Sequence, residues 1–445
     1  MPDKMKSKGV NKSARTQVGV VGLGFVGLPL ALSYAMAGAS VVGLDVSRQL
    51  VDDLNAGVTY LHENRGEESI EEILRAQIVA GRFRATAEPL DLMAHCQQVI
   101  ITVGLPVRRG RPDPRPLLEA CRSVAEGVRP GAVIVIRSTL VPGFTDRRIR
   151  PVFERFGLQP GRDFTLAYAP ERMAEGRAFQ ELESMPSIVG VVGENGIDRV
   201  LGLLRMVVKA PIYRVSSVKA AETIKVVENV QRDVNLAMVQ ELARFCEASG
   251  LDVFEVARLA NTHERVKLLN PGPGVGGYCI PNAYYYLKQA ADEVGCALDL
   301  SPAARRVNDL APAAVVALLG KELRHFRLTW REARIAVLGL AMKDYSGDDR
   351  LSPAAEVVRL LARKGASVKA YDPAVKRSSP TKVESLEECL LGSHAAVILA
   401  RQEAFKPVSA DLMVRLLLPP RILLDTRNMV DQGAAKNSGL HLIRI

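Results

Sequence analysis

The sequence predicts an α/β protein: two Rossmann-like, doubly wound domains joined by a central helical region with a long spine helix. Three observations carry this. A glycine-rich turn, Gly22-Leu-Gly24-Phe-Val-Gly27, stands between an apolar strand and an apolar helix. The β/α alternation later gives way to an unbroken helical pattern from Val218 through Ser249. Beyond a helical stretch over Ala303–Arg324 the alternation returns, and Gly365-Ala-Ser-Val368 with Asp372 echoes Gly38-Ala-Ser-Val41 with Asp45. The expected organisation is a disordered basic arm over 1–15, a Rossmann-like domain over 16–215, a central helical region over 216–305 and a second Rossmann-like domain over 306–445.

The first strand, Val18–Gly22, is the apolar run expected of a parallel strand covered on both faces. In the turn that follows, Gly22 permits the bend, Gly24 the approach of a pyrophosphate, and Gly27 the packing of helix on sheet. The helix over Leu28–Ala37 offers its N-terminal N–H groups and partial positive charge to phosphates. The second strand, Ser40–Leu44, ends in Asp45, where a carboxylate accepts hydrogen bonds from a ribose diol and repels a 2′-phosphate. NAD is therefore favoured over NADP, with Arg48 as the nearby opposing charge; a glycine-rich βαβ unit that binds nothing is the alternative. Val18–Leu44 carries no charge, but six glycines, Pro29 and the closing Asp45 argue for this unit rather than a membrane span.

Three further strands, Gln98–Val103, Ala132–Ile136 and Phe164–Tyr168, run into Gly104-Leu-Pro106, Arg137-Ser-Thr139 and Ala169-Pro-Glu171. Ligands of open α/β sheets sit at the carboxyl ends of strands, which places Ser138, Thr139 and Glu171 where a site belongs. Taken singly, each also suits a helix start. On the spine helix, Lys225 and Asn229 lie four apart on one face, with Glu222, Arg232 and Asn235 near it; a solvated stripe and a functional face are both open. A short helix near Asp252–Ala260 and the polar link Asn261–Lys267 lead to Asn270-Pro-Gly-Pro-Gly-Val-Gly-Gly-Tyr-Cys-Ile-Pro-Asn282. Prolines stiffen this loop and glycines allow close backbone approach. Its Cys279 is either a nucleophile or a buried bystander thiol. After a helical stretch over Ala303–Arg324, strands at Arg334–Leu340, Ala395–Ala400 and Ile422–Asp425 build the second sheet. That half lacks GxGxxG and is expected to bind something other than a second dinucleotide.

Composition narrows the class. With 445 residues, 48% apolar and 24% charged, the chain is an ordinary globular protein too long for one core. Its six cysteines show no CxxC spacing and its six histidines no ligand cluster, so neither a disulfide framework nor a metal site is expected, and a cytoplasmic location is. Net charge is +10, but the arginines are dispersed and aromatics reach only 5%, which disfavours a nucleic-acid partner and suits an anionic small ligand.

Together these residues resemble the UDP-glucose/GDP-mannose dehydrogenase family along nearly the full chain. The stretch Asn261-Thr-His-Glu-Arg-Val-Lys-Leu-Leu-Asn270 through Cys279-Ile is especially similar to the UDP-N-acetyl-D-mannosamine dehydrogenase-like branch. Supporting motifs are Arg137-Ser-Thr139, Ala169-Pro-Glu-Arg-Met-Ala-Glu-Gly176, Glu222-Thr-Ile-Lys-Val-Val-Glu-Asn229, Asp348-Asp-Arg350 and Asp425-Thr-Arg427. The resemblance implies an NAD-dependent oxidation of the C6 alcohol of a UDP-N-acetylhexosamine to a carboxylate, with UDP-N-acetylmannosamine first and UDP-N-acetylglucosamine next. It implies that Cys279 forms a thiohemiacetal and then a thioester, that Lys225 and Asn229 stabilise oxyanions, and that Glu171 with a water on Thr139 relays protons. Cofactor contacts are implied at Gly22, Gly24, Phe25, Val26, Gly27 and Asp45, and at Ser138, Thr139, Glu175 and Arg350. Substrate contacts are implied at Glu171, Arg172 and Met173, at Lys225, Asn229 and Gly276, and at Lys343 and Arg427 in the C-terminal, UDP-sugar-binding domain. Arg265 is implied to reach the sugar across a homodimer built on the spine helix.

Two departures from the family pattern stand out. Ala283 occupies the position of an aspartate four residues after the cysteine, which the family is thought to use in hydrolysis. Leu351 replaces an acidic residue after Arg350. A milder change is Tyr278, where this branch often has histidine. The rival readings are action on another nucleotide sugar, oxidation stopping at the aldehyde, and a non-catalytic nucleotide-binding paralogue.

Overall fold

The computed structural model describes residues 15–193, 195–376 and 381–445, so the basic arm lies, except for Arg15, outside the described residues. The chain divides into two compact units. One holds the described residues up to Arg108 together with Pro112–Lys225; the other holds Arg109–Arg111 and Val226–Ile445.

The first unit is organised by an eight-stranded sheet: β1 (Gln17–Val21), β2 (Ser40–Leu44), β3 (Phe83–Thr86), β4 (Gln98–Ile101), β5 (Val133–Ile136), β6 (Thr165–Tyr168), β7 (Ser187–Val191) and β8 (Ile212–Arg214). Their spatial order is 3-2-1-4-5-6-7-8, so the chain leaves β1 in both directions and the switch point lies between β1 and β4, the place where dinucleotides bind. Neighbours are parallel except β6 and β7, whose antiparallel pairing the sequence pattern did not reveal. The uncharged run Val18–Leu44 is this sheet's buried βαβ unit. Helix α1 (Gly27–Met36) is buried from Gly27 through Ala35, and no described helix is long and apolar enough to cross a membrane. Strand β4 closes at Ile101, short of the expected Val103, because Thr102 turns its hydroxyl onto the carbonyls of Val21 (2.9 Å) and Gly22 (2.7 Å).

Helix α2 (Val218–Ser249) runs from one unit into the other as a 32-residue rod with the bounds its periodicity predicts. In the second unit, α3 (Val253–Ala260), α4 (Cys279–Glu293) and α5 (Leu300–His325) precede an all-parallel five-stranded sheet. Asp252 caps α3 by accepting the Phe254 N–H at 2.9 Å. The sheet's strands are β9 (Arg334–Leu338), β10 (Ser367–Tyr371), β11 (Ala395–Ile398), β12 (Ile422–Asp425) and β13 (His441–Arg444), in the order 10-9-11-12-13. This is the 2-1-3-4-5 pattern of the other common doubly wound sheet. Alternate residues of β9 enter different cores, Ile335 and Val337 one and Ala336 and Leu338 the other, so helices cover both faces. The internal echo is structural: Leu340 N–H donates to Asp372 at 2.8 Å as Leu23 N–H donates to Asp45 at 2.8 Å.

The cysteine segment differs from its expectation. The loop ends at Tyr278, and Cys279 opens a 15-residue helix. Pro281 does not prevent this, because in the first turn its missing N–H has no intrahelical partner to lose.

Candidate active site

In the first unit, the glycine turn leaves β1 and enters α1 without a side-chain cap on the helix. A Cβ on Gly27 would lie 1.7 Å from the Gly22 carbonyl oxygen, so only glycine lets the helix start this close to the strand. A Cβ on Gly24 would meet nothing nearer than the Tyr60 hydroxyl at 3.9 Å, which leaves open space beside the uncapped helix start. Asp45, half-buried, accepts from Leu23 N–H at 2.8 Å and from Ser47 N–H at 3.0 Å, and so holds the turn in place. Arg48 is drawn to Glu88 at 2.8 Å, which engages the cation that could have favoured a 2′-phosphate. Phe25 packs edge-on against Tyr60, ring centres 5.7 Å apart. This cradle fits a dinucleotide's pyrophosphate at the bare helix end and its ribose at Asp45.

At the ends of β5 and β6 the chain buries an ion pair. Arg137 is 3% exposed and clasps Glu171 through Nε (3.1 Å) and Nη2. The other Glu171 oxygen accepts from the N–H groups of Arg172 (2.7 Å) and Met173 (2.9 Å). Burial alone would push the Glu171 carboxyl up; the Arg137 charge, with these hydrogen bonds, outweighs it and holds the group below the ordinary carboxylate range. Ser138 is buried, and Thr139 is half-buried beside it. The segment carrying Arg172, Met173 and Glu175 is pinned by Glu63, which accepts from Gly176 N–H (2.6 Å) and Ala178 N–H (3.1 Å).

In the second unit, Cys279 is exposed at the first position of α4, where the helix end favours negative charge developing on or near sulfur. Asn229 is buried and donates its amide to the Cys279 carbonyl at 3.3 Å. Gly277 N–H donates to the Arg350 carbonyl at 3.1 Å, and the Arg350 guanidinium sits 5.4 Å from the centre of the Tyr278 ring. Asp348 holds that guanidinium through Nε at 2.8 Å. A Cβ on Gly276 would lie 2.7 Å from Pro353 and 2.8 Å from the Leu351 carbonyl oxygen. The glycine is needed for the loop to pack on its own chain, whatever else approaches it. Ala283, one turn past the cysteine, is fully buried. At the end of β12, Arg427 donates to Asp344 at 2.5 Å and to the Pro271 carbonyl at 3.4 Å, while Arg401 N–H donates to Asp344 at 2.8 Å. Lys343 is exposed beside Asp344, and Arg265 is exposed in the link before the cysteine loop.

The structure therefore groups the expected residues by unit. The glycine turn with Asp45 and the strand-end set Ser138, Thr139, Glu171, Arg172, Met173 and Glu175 belong to the first, together with Lys225. Asn229, Arg265, Gly276, Cys279, Lys343, Arg350 and Arg427 belong to the second. Sequence reasoning gave no role to Arg137, Asp344 or Arg401. Arg137 had a signal, a lone cation directly after four apolar residues of a central strand; the other two had none.

A dinucleotide cradle in one unit and an exposed thiol at a helix start in the other define a class, a dinucleotide-dependent oxidoreductase that carries its own nucleophile. Comparison with known proteins narrows it. The NAD binding, central and UDP binding domains of the UDP-glucose/GDP-mannose dehydrogenase family match residues 16–207, 219–310 and 336–432. The UDP-N-acetyl-D-mannosamine dehydrogenase of Pyrococcus horikoshii is 36% identical over 94% of this chain and 96% of its own. The UDP-N-acetyl-D-glucosamine 6-dehydrogenase of Pseudomonas aeruginosa is 31% identical over 94% of this chain and 97% of its own. The solved UDP-D-ManNAc dehydrogenase structure from Pyrococcus horikoshii superposes with a TM-score of 0.89 at 34% identity, covering 97% of this chain and 99% of that one. The chain belongs to the UDP-glucose/GDP-mannose dehydrogenase family and is an NAD-dependent nucleotide-sugar dehydrogenase.

Proposed function

We propose that the chain oxidises the C6 hydroxyl of a UDP-N-acetylhexosamine to the uronic acid, with UDP-N-acetylmannosamine the preferred substrate and UDP-N-acetylglucosamine the next. The observation that carries this reading is Cys279, exposed at the start of α4 with Asn229 holding its carbonyl. NAD⁺ supplies the hydride acceptor for each of two oxidations. Cys279 sulfur adds to the C6 aldehyde to give a thiohemiacetal, whose oxidation leaves a thioester; water then releases the acid and restores the thiol. Lys225 and Asn229 supply preorganised donors for the oxyanions. Glu171 relays protons and, with a water on Thr139, serves hydrolysis; it is held ionised, so it can accept a proton as one of its hydrogen bonds loosens. Of the second-unit residues, the reading assigns Arg350 to the cofactor, Gly276 to the sugar, and Lys343 and Arg427 to the nucleotide end.

The reading includes a homodimer through α2, with Arg265 reaching the partner's substrate. It is supported by an exposed apolar stripe on that helix: Val227, Met238 and Phe245 are 48%, 45% and 61% exposed. Their spacings of eleven and seven return each to the same face. A cytoplasmic site of action is supported by six free thiols.

The test is product stoichiometry with UDP-N-acetylmannosamine, UDP-N-acetylglucosamine and UDP-glucose. Two NADH per sugar acid is expected. One NADH per sugar marks a reaction stopping at the aldehyde, none marks a binding protein, and UDP-glucose turned over as well as both N-acetyl sugars overturns the substrate assignment.

A further inference from the structure

Glu222 is fully buried on the second turn of α2, yet among the described residues its carboxylate meets no cation. It accepts instead from three donors of one short turn: Gly143 N–H at 2.5 Å, Thr145 N–H at 2.8 Å and the Thr145 hydroxyl at 2.6 Å. That turn begins at Pro142, three residues after Thr139. Lys225 lies three residues further along the helix, on the neighbouring turn of the same face. We propose that Glu222 is a positioning residue, tying the turn that follows Thr139 in the chain to the helix that carries Lys225 and so fixing both groups for the oxidation and hydrolysis steps. This rests on the function proposed above.

The alternative is an ordinary buried carboxylate serving stability alone, and the geometry argues against it. An ionised carboxylate out of contact with a cation is costly to bury, and a Gln of the same shape carries no such cost. What the anion uniquely provides is acceptor capacity for three donors at once, since a Gln or a protonated acid turns a hydrogen toward one of them. Burial accordingly pushes the Glu222 carboxyl up to about 7, against the lowering effect of the Thr145 and Gly143 donors, and the charge of Asp146 on the adjoining turn adds to the rise. Of the cations on the adjoining segment, Arg147 donates to the Pro142 carbonyl at 2.9 Å and Arg148 is exposed. The clamp is complete only when Glu222 is ionised, so it tightens as pH rises through about 7.

The experiment compares the full-length wild type with Glu222→Gln, Thr145→Val and Thr145→Ser. Backbone hydrogen exchange over residues 139–146 is measured at pH 6 and pH 8, alongside steady-state kinetics with UDP-N-acetylmannosamine and NAD⁺. Glu222→Gln should speed exchange in that segment at least tenfold at pH 8 and remove its pH dependence. It should lower kcat about 10–100-fold, the cost of a small misplacement of reacting groups, while the KM of either substrate stays within about twofold. Thr145→Val should move in the same direction by less, and Thr145→Ser should restore wild-type values. Unchanged exchange in Glu222→Gln overturns the proposal whether or not the wild type turns over any sugar. Faster exchange with full kcat in an active enzyme overturns it too. A wild type inactive on every sugar overturns the proposed function instead, and exchange alone then decides for or against the clamp.

Discussion

Removing the cation from the buried Arg137–Glu171 pair should be among the most damaging single changes in the first unit. Arg137→Gln leaves Glu171, whose side chain is 10% exposed, as a buried anion supported by two backbone N–H groups. Breaking a buried pair from one side costs about 3–5 kcal/mol, because the remaining charge loses its compensation. For a unit of roughly 200 residues, that corresponds to a fall of about 6–20 °C in its melting temperature. The pH dependence has a definite sign. In the wild type the Glu171 carboxyl is held low, so its contribution is present above the unfolded-state value and is lost as pH falls through the lower folded value. Without Arg137 burial dominates and the carboxyl moves up, so the penalty is largest at neutral pH and shrinks as pH falls toward about 4–5. Arg137→Gln/Glu171→Gln removes the orphaned charge and should recover most of the loss. Thermal unfolding of the wild type and the two variants across pH 4.5–8 measures all of this. A loss below about 1 kcal/mol, a loss that does not vary with pH, or a double variant no better than the single one would refute the assignment of a buried, charge-compensated pair.

Asp45→Ala should raise the KM for NAD⁺ far more than it lowers kcat, because it removes both a ribose acceptor and the clamp on Leu23 N–H; comparable wild-type kcat/KM for NAD⁺ and NADP⁺ would contradict this. Cys279→Ser should abolish acid formation while calorimetric binding of the UDP-sugar stays near wild type, since serine carries no useful anionic fraction at neutral pH. With Ala283 in place of a carboxylate, wild-type thioester should accumulate as an NADH burst and as an adduct in intact mass. Ala283→Asp should raise the steady rate and shrink the burst, within the about 10²–10⁴-fold range of acid–base assistance. An enzyme with neither burst nor adduct, unaltered by the substitution, would show that another group already serves hydrolysis.

The glycine turn, Asp45 and the 32-residue span of α2 were legible because each depends on local rules: glycine sterics, strand-end placement and helical period. The cysteine was legible as a candidate by its surroundings, and its position at a helix start was not, because Pro281 reads as a helix breaker unless the first turn is already known.

The amino-acid order by itself determined the two doubly wound sheets and the helical middle, and it singled out Asp45 and Cys279 as candidates for the cofactor and the chemistry. It also contained the echo between Asp45 and Asp372, but could not say how far the echo extends. Only the tertiary structure decided that. Asp45 remains half-buried, whereas Asp372 is fully buried and also accepts from Gln402 Nε2 at 3.2 Å. The same holds for Glu171 and Glu222, two acids that look alike in sequence. One is held low by Arg137, which lies 34 residues away in the chain; the other is pushed up by burial among neutral donors 77 and 79 residues away. Local sequence sets what each side chain can do, but its charge state depends on partners brought from distant strands, and those contacts exist only once the chain has folded.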